Sequence, residues 1–454
     1  MKSLYIFTRD LRTHDNQTFI EACKNSTHVA PIFIFTPQQV TSNSYKSDNA
    51  IQFMINSLKE LDTELKNSLS LFYGDNNGIV ESLINEGNFK NVYITKDYTP
   101  FAVKREDNLK ALCKKYNVQL HIVHDYVLHR PGTILTGSGT AYKKYTPYYR
   151  SALKVDPDSV TKVVLPKLLK TDSNYTFKKA EKLYRLNPSI NMKGGRSHGL
   201  KMLTALKHHK AYSDTRNDLE KQTTNLSAYI KFGNISIREV YWKVRELFGK
   251  NHGLISQLIW HDFYYQVGVA FPHVIGGSLK PQYDNIVWSS DRSTLEAWKQ
   301  GKTGYPIVDA AMAQINQTGY MHNRGRMIVA SFLIKTLLHD WQEGEKYFAQ
   351  KLSDYDPLVN NGNWQWVSSS GADSQPYFRV FNPWLQSAKF DPNAVYIKRW
   401  LPRLKTIPPK HLHQWDKYCA KYKGSVDYPS PIVNYKEAKD LAMKAYKQAL
   451  YSNK

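Results

Sequence analysis

The sequence predicts two domains of different class: an N-terminal α/β domain with a doubly wound, mostly parallel sheet, and an all-helical C-terminal domain, joined by a long linker. Three observations predict this. Short apolar runs alternate with amphipathic segments through the first 125 or so residues, the pattern of successive βαβ units. Glycine and proline then interrupt the chain repeatedly up to about residue 200, with few periodic segments between them. From there to the end, apolar residues recur at helical spacing. A chain of 454 residues with 41% hydrophobic content can bury two cores.

The elements follow in order. Residues 4–7, 29–35, 69–73, 92–95 and 118–123 read as buried strands, and 19–24, 51–65, 78–86 and 103–116 as the helices between them. Ligands of such sheets bind beyond the carboxyl ends of the strands. No G-x-G-x-x-G follows the first strand; TRDLRTHDN does. The interruptions at Pro131-Gly132, Gly137, Gly139, Pro157, Pro166 and Gly194-Gly195 suggest a structureless link too long to lie inside one domain. The expected division is therefore 1–128, a linker of 129–198, and 199–454. AYKKYTPYYR, at 141–150, mixes cations with tyrosines, which suits nucleic acid but more often serves packing against a neighbouring domain.

Composition narrows the class of function. A formal net charge of +23 suits a polyanionic partner, nucleic acid before a membrane surface. Three scattered cysteines, without CxxC or ligand-spaced histidines, fit a reducing interior and no metal site. Neither a signal peptide nor an apolar run of membrane-spanning length is present in the sequence. A soluble intracellular monomer is expected, in cytoplasm or nucleus.

The most informative stretch is 301–383. Asn323, Arg324 and Arg326 open one helical segment, Asp354 and Asp356 follow another, and Trp364 and Trp366 come after Asn360-Asn361-Gly362-Asn363. Caps and core packing account for any one of these residues. Together they pair a buried arginine with two aspartates, an arrangement that suits a polar, partly charged ligand. TTNLSAYIKFG, from Thr223, places hydroxyls ahead of a helix start, where free backbone N–H groups attract anions. GKT at 301–303 is no P-loop, since Glu296 stands where the first glycine is needed.

HNRGRM, SDYDP, NNGNWQW and FRVFNP stand in an order that resembles the flavin-binding half of the photolyase/cryptochrome family, and the resemblance extends over nearly the whole chain. TRDLRTHDN and DYTPFAVKRED resemble that family's antenna-pigment domain. The resemblance implies FAD as cofactor. Tyr212, Thr223, Thr224, Asn225, Leu226 and Ser227 would hold its diphosphate and adenine side; Arg326, Asp354, Asp356 and Asn360 would surround the isoalloxazine. It implies light-driven repair of UV-damaged DNA, in which excited reduced FAD passes one electron to a flipped-out lesion. Trp260 and Trp366 would stack on that lesion, with Gln257, Asn323 and Met327 beside them. Arg324 and Arg379, with Lys389 a weaker third, would hold its phosphates. Trp364, Trp341 and Trp288 match the family's electron relay. An antenna pigment of folate, deazaflavin or flavin type would belong to the N-terminal domain.

Several positions depart from the cyclobutane-dimer pattern. Gln257 stands where such enzymes carry Glu, and Gln is usual in 6-4 photolyases and animal cryptochromes. His261-Asp262 replaces Arg-Glu, and Tyr320 replaces a Trp. Against the 6-4 reading, Asn323 and Met327 occupy the places of that group's histidine pair. Cyclobutane-dimer repair is the first expectation. A 6-4 photolyase and a cryptochrome-like blue-light receptor are the alternatives.

Overall fold

The structure, a computed structural model, describes residues 1–451. Five parallel strands, β1 (Lys2–Phe7), β2 (His28–Phe35), β3 (Ser70–Tyr73), β4 (Asn91–Thr95) and β5 (Gln119–Val123), form a sheet in the order β3-β2-β1-β4-β5. Leu4 pairs with Ala30 on one side and Val92 on the other, so β1 is central. Its residues from Ser3 to Phe7 are all buried, because helices cover both faces of such a sheet. The connecting helices Gln17–Asn25, Asp48–Glu64, Asn76–Gly87 and Pro100–Lys115 each begin at a side-chain cap. Asn16, Ser47, Asp75 and Thr99 each accept a backbone N–H three residues on, which satisfies donors that the first turn leaves free.

The linker is not structureless. It carries the helix Tyr145–Ala152 and a sixth strand, β6 (Lys167–Leu168), paired with β2. The helix is held by its aromatic side: Tyr148 is fully buried, and the Tyr145 ring lies 3.7 Å and 9° from the ring of Trp260. Glycine and proline punctuation had concealed the helix, since the segment gains its order from the surfaces it lies on. The tyrosine-rich stretch thus packs against the helical domain, as the chemistry of its rings favours.

The helical part surrounds a core of Trp298, Met312, Phe332, Trp364 and Trp415. Three of its helices build the site: Gly253–Ala270, Asn323–Lys335 and Pro357–Ser368. Close approach requires glycine at two places. A Cβ at Gly362 would lie 2.1 Å from the Tyr264 ring, and one at Gly344 would lie 2.1 Å from the Trp364 indole.

Buried charge joins the two parts. Arg238 of the helical part pairs with Asp15 at 3.0 Å and with Asp125 at 2.6 Å, and Arg12 also pairs with Asp125. All four side chains are 5% exposed or less, so the pairs are shielded from screening. Among the described residues, no helix is long and apolar enough to cross a membrane.

Candidate active site

The site is a cavity of about 500 Å³ among those three helices and the segment 212–227, a size suited to a cofactor-sized ligand. Helical periodicity explains the convergence. Gln257, Trp260, His261 and Tyr264 form one stripe; Asn323, Arg326, Met327 and Ala330 form a second; Asn360, Asn363, Trp364 and Val367 form a third. Every expected cofactor residue lines this cavity: Tyr212, Thr223, Thr224, Asn225, Leu226, Ser227, Arg326, Asp354, Asp356 and Asn360. So do Gln257, Trp260, Asn323, Arg324, Met327 and Trp366 from the expected lesion wall.

The charged end is built around Asp354. Its Oδ2 accepts from Arg326 Nη2 at 2.8 Å and from Ser227 Oγ at 2.6 Å. Its Oδ1 is buried with no hydrogen-bond partner among the described residues. A bare carboxylate oxygen at the cavity wall is an acceptor kept for a ligand donor, because burying it unpaired costs about 1–3 kcal/mol or more. Arg326 also donates from Nε to the Met321 carbonyl at 2.8 Å. Breaking such a pair from one side costs about 3–5 kcal/mol. Asn360 gives its amide N–H to the Glu345 carbonyl at 3.1 Å, which fixes the amide on that side. These groups fit FAD: a free acid acceptor, a guanidinium, an amide and the hydroxyl-rich segment 223–227.

Asp356 requires a correction. Sequence reasoning grouped both aspartates with one buried arginine, but Asp354 takes Arg326 and Asp356 takes Arg9. Its Oδ1 caps the helix Pro357–Ser368, accepting from Leu358 and Val359 N–H at 3.2 Å each, and its Oδ2 accepts from Arg9 Nη1 at 2.8 Å. A contact spanning 347 residues has no local sequence signal.

The opposite end combines neutral and aromatic side chains with two arginines. The indole of Trp260 is backed by Tyr145, whose hydroxyl donates to the Ser256 carbonyl at 2.7 Å. Asn323 Nδ2 rests 3.7 Å from Met327 Sδ. Arg324 donates to Asn217 Oδ1 at 2.7 Å and lies 4.2 Å from the Phe390 ring centroid. Burial, then the like charge of Arg216, lowers its pKa to about 10. Sequence reasoning missed Arg216 and Asn217, which line the same cavity; a cation one helical turn after Tyr212 was the available signal. Arg379 and Lys389 are exposed and lie outside the cavity lining. Lys389 sits 5.5 Å from the ring of its neighbour Phe390, which Arg324 also covers. Of the departures, Tyr320 donates to or accepts from Thr223 at 3.0 Å, while Asp262 accepts the backbone N–H groups of Leu128 and His129 at 3.0 and 2.9 Å.

Of the three tryptophans of the expected relay, Trp364 alone lines the cavity. Trp364 lines it and is 2% exposed; Trp341, 3% exposed, lies three residues before Gly344, against which Trp364 packs. Trp288 is half-buried next to Ser289, whose N–H donates to the Leu338 carbonyl at 2.7 Å, just ahead of the helix Trp341–Lys351.

Comparison with known proteins agrees with this geometry. A family model for DNA photolyase matches residues 3–166, and one for the FAD-binding domain of DNA photolyase matches 254–448. The chain is 32% identical to the deoxyribodipyrimidine photo-lyase of Halobacterium salinarum, over 98% of this chain and 99% of that protein. It is 33% identical to the Escherichia coli enzyme of the same name, over 98% of each. Among solved structures, the archaeal photolyase of Sulfolobus tokodaii, which holds two FAD molecules, superposes with a TM-score of 0.88 at 38% identity, over 99% of this chain and 100% of that one. Sheet, helical cavity and sequence identity over the full length agree: this chain belongs to the DNA photolyase family and binds FAD.

Proposed function

We propose that the protein repairs cyclobutane pyrimidine dimers in UV-damaged DNA, driven by light, as a monomer. One observation carries the reading: the charged, flavin-fitting groups Arg326, Asp354 and Asn360 share a single cavity with the aromatic, neutral wall of Trp260, Trp366, Asn323 and Met327. A lesion must leave the duplex to reach that wall, at a cost of a few kcal/mol for unstacking. Stacking on the two indoles, worth about 1–3 kcal/mol per base, offsets it. Arg324 and Arg216, with Arg379 and Lys389 outside, hold the flanking phosphates and set register without reading sequence. The bound flavin, reduced and excited by light, supplies the electron that splits the dimer and takes it back. Trp364, Trp341 and Trp288 form the path by which electrons reach the cofactor from the surface, oxidisable indoles set in sequence through the protein.

The choice of lesion rests on the lack of an acid. Turnover of a 6-4 photoproduct needs a proton donor at the lesion, and neither an amide nor a thioether is one. Gln257 alone favours the 6-4 reading. For the N-terminal domain, the two FAD molecules of the Sulfolobus tokodaii photolyase favour the flavin type among antenna pigments. The test is illumination of the purified, reduced protein with DNA carrying each lesion. Restored dimer sites support the reading; repair of 6-4 lesions alone contradicts it.

A further inference from the structure

The stretch TRDLRTHDN remains without a role in the reaction, yet its first arginine pairs with Asp356, a residue of the cofactor cavity wall. The Arg9 side chain is 10% exposed. Its Nη1 donates to Asp356 Oδ2 at 2.8 Å, its Nη2 donates to the Tyr265 hydroxyl, and its Nε lies 3.4 Å from Asp97 Oδ2. The Tyr265 hydroxyl in turn donates to Asp356 Oδ2 at 2.7 Å. The carboxylate at the cavity wall is thus gripped from two sides. The N-terminus of its own helix holds Oδ1, and a guanidinium from the other domain, with the phenol they share, holds Oδ2. Burial pushes the Asp356 carboxyl up, but Arg9 first, then His261 and Lys231, outweigh burial and lower its pKa. The site therefore contains two unlike ion pairs. Arg326–Asp354 lies within the helical domain, whereas Arg9–Asp356 crosses to the sheet domain.

We propose that Arg9 is a positioning residue of the flavin site: it fixes the orientation and charge of Asp356, so that docking of the α/β domain helps to retain FAD. The sheet domain then does more than house an antenna, and its signature motif serves the cofactor of the other domain. The inference rests on FAD occupying the cavity. Removing one partner of a buried, hydrogen-bonded charge pair leaves the other unpaired, and the whole penalty falls on a wall of the cofactor site.

The test compares two clamps in the full-length protein. Arg238 crosses the same two domains and is as buried, but its partners Asp15 and Asp125 do not line the cavity. In the dark, FAD affinity is read from the fluorescence of released FAD, and the absorption band of the bound, oxidised flavin is recorded beside it. Arg9→Gln is expected to raise the FAD dissociation constant by about tenfold or more, one lost pair being worth at least that factor, and to shift the band. Arg238→Gln is expected to lower thermal stability with little change in either. Arg9→Lys restores part of the affinity, since an ammonium replaces the charge but not the fork. Tyr265→Phe, which removes the shared hydroxyl, gives a smaller loss in the same direction and serves where Arg9→Gln does not fold. Equal loss of FAD from the Arg9 and Arg238 variants, or undiminished affinity in Arg9→Gln and Tyr265→Phe, overturns the proposal while leaving the flavin site intact. A parental protein that binds no FAD overturns both.

Discussion

The two ends of the cavity are built on opposite principles. At the cofactor end, Asp354 and Asp356 are 8% and 7% exposed, and each carboxylate is held by an arginine and a further donor before any ligand arrives. At the lesion end, Gln257, Trp260, Met327 and Trp366 are half-buried, Asn323 is exposed, and Arg324 has an amide partner in Asn217 and feels the like charge of Arg216. One end is preorganised for a resident group. The other is left short of anions, which the phosphates of DNA would supply. The difference teaches where substitutions should be severe and where they should be graded: a locked charge network fails as a unit, while a stacking wall and a set of phosphate contacts lose affinity in steps.

The sharpest break of that comparison is at its charged end. Asp354→Arg places two guanidiniums against each other in a buried site, where one unpaired charge already costs about 3–5 kcal/mol. The purified variant is expected to be colourless and to fail to bind added FAD; a yellow protein with parental flavin content would show that this network does not hold the cofactor.

Trp364→Phe probes the connection between the cofactor end and the surface. An aromatic ring still packs against Gly344 and Phe348, but the phenyl ring is much harder to oxidise. Photoreduction of the oxidised cofactor is expected to be lost, while chemically reduced protein continues to repair. Photoreduction at the parental rate would remove Trp364 from the electron path.

Effects at the lesion end are expected to be smaller. Arg324→Ala removes the cation proposed to meet a phosphate, and its cover over Phe390. Binding to damaged DNA should fall about tenfold, and the slope of log affinity against log salt should drop by about one. Lesion preference should not change, and a changed preference in competition binding would mean that Arg324 touches bases. Gln257→Glu is the mildest. An anionic acceptor in place of an amide strengthens one hydrogen bond by about 1.5 kcal/mol at most, so dimer binding or repair yield should move by about tenfold or less. A hundredfold change measured under the same light would make position 257 a principal determinant and blur the contrast between the ends.

Much of this was legible in the sequence, for physical reasons that differ by element. The five main strands read correctly because both faces of the sheet are covered, so whole runs such as 29–35 are apolar. The helical class of the second domain read correctly because apolar residues recur at helical spacing from about residue 199 onward. What could not be read was contact without periodicity. Arg9 and Asp356 are separated by 347 residues, and nothing local to either marks the other. Packing of the 141–150 tyrosines was expected, but the prolines and glycines around them hid the helix that carries Tyr145, and nothing local marked Trp260 as its partner. Arg216 shares the cavity lining with Arg324, 108 residues away and of like charge, so no complementary pair marks it in the sequence.

The central claim is that a flavin-binding end and a lesion end whose Asn323 and Met327 wall offers no acid together make a cyclobutane-dimer repair enzyme. The most direct measurement uses the purified, FAD-loaded, reduced protein. It is illuminated with two oligonucleotides of one sequence, one carrying a cyclobutane dimer and the other a 6-4 photoproduct, and intact pyrimidines are counted over time. The account predicts light-dependent restoration of the dimer and no turnover of the 6-4 photoproduct. Efficient 6-4 turnover with the dimer left intact would contradict it, and would mean that Gln257 decides the substrate over the Asn323 and Met327 wall.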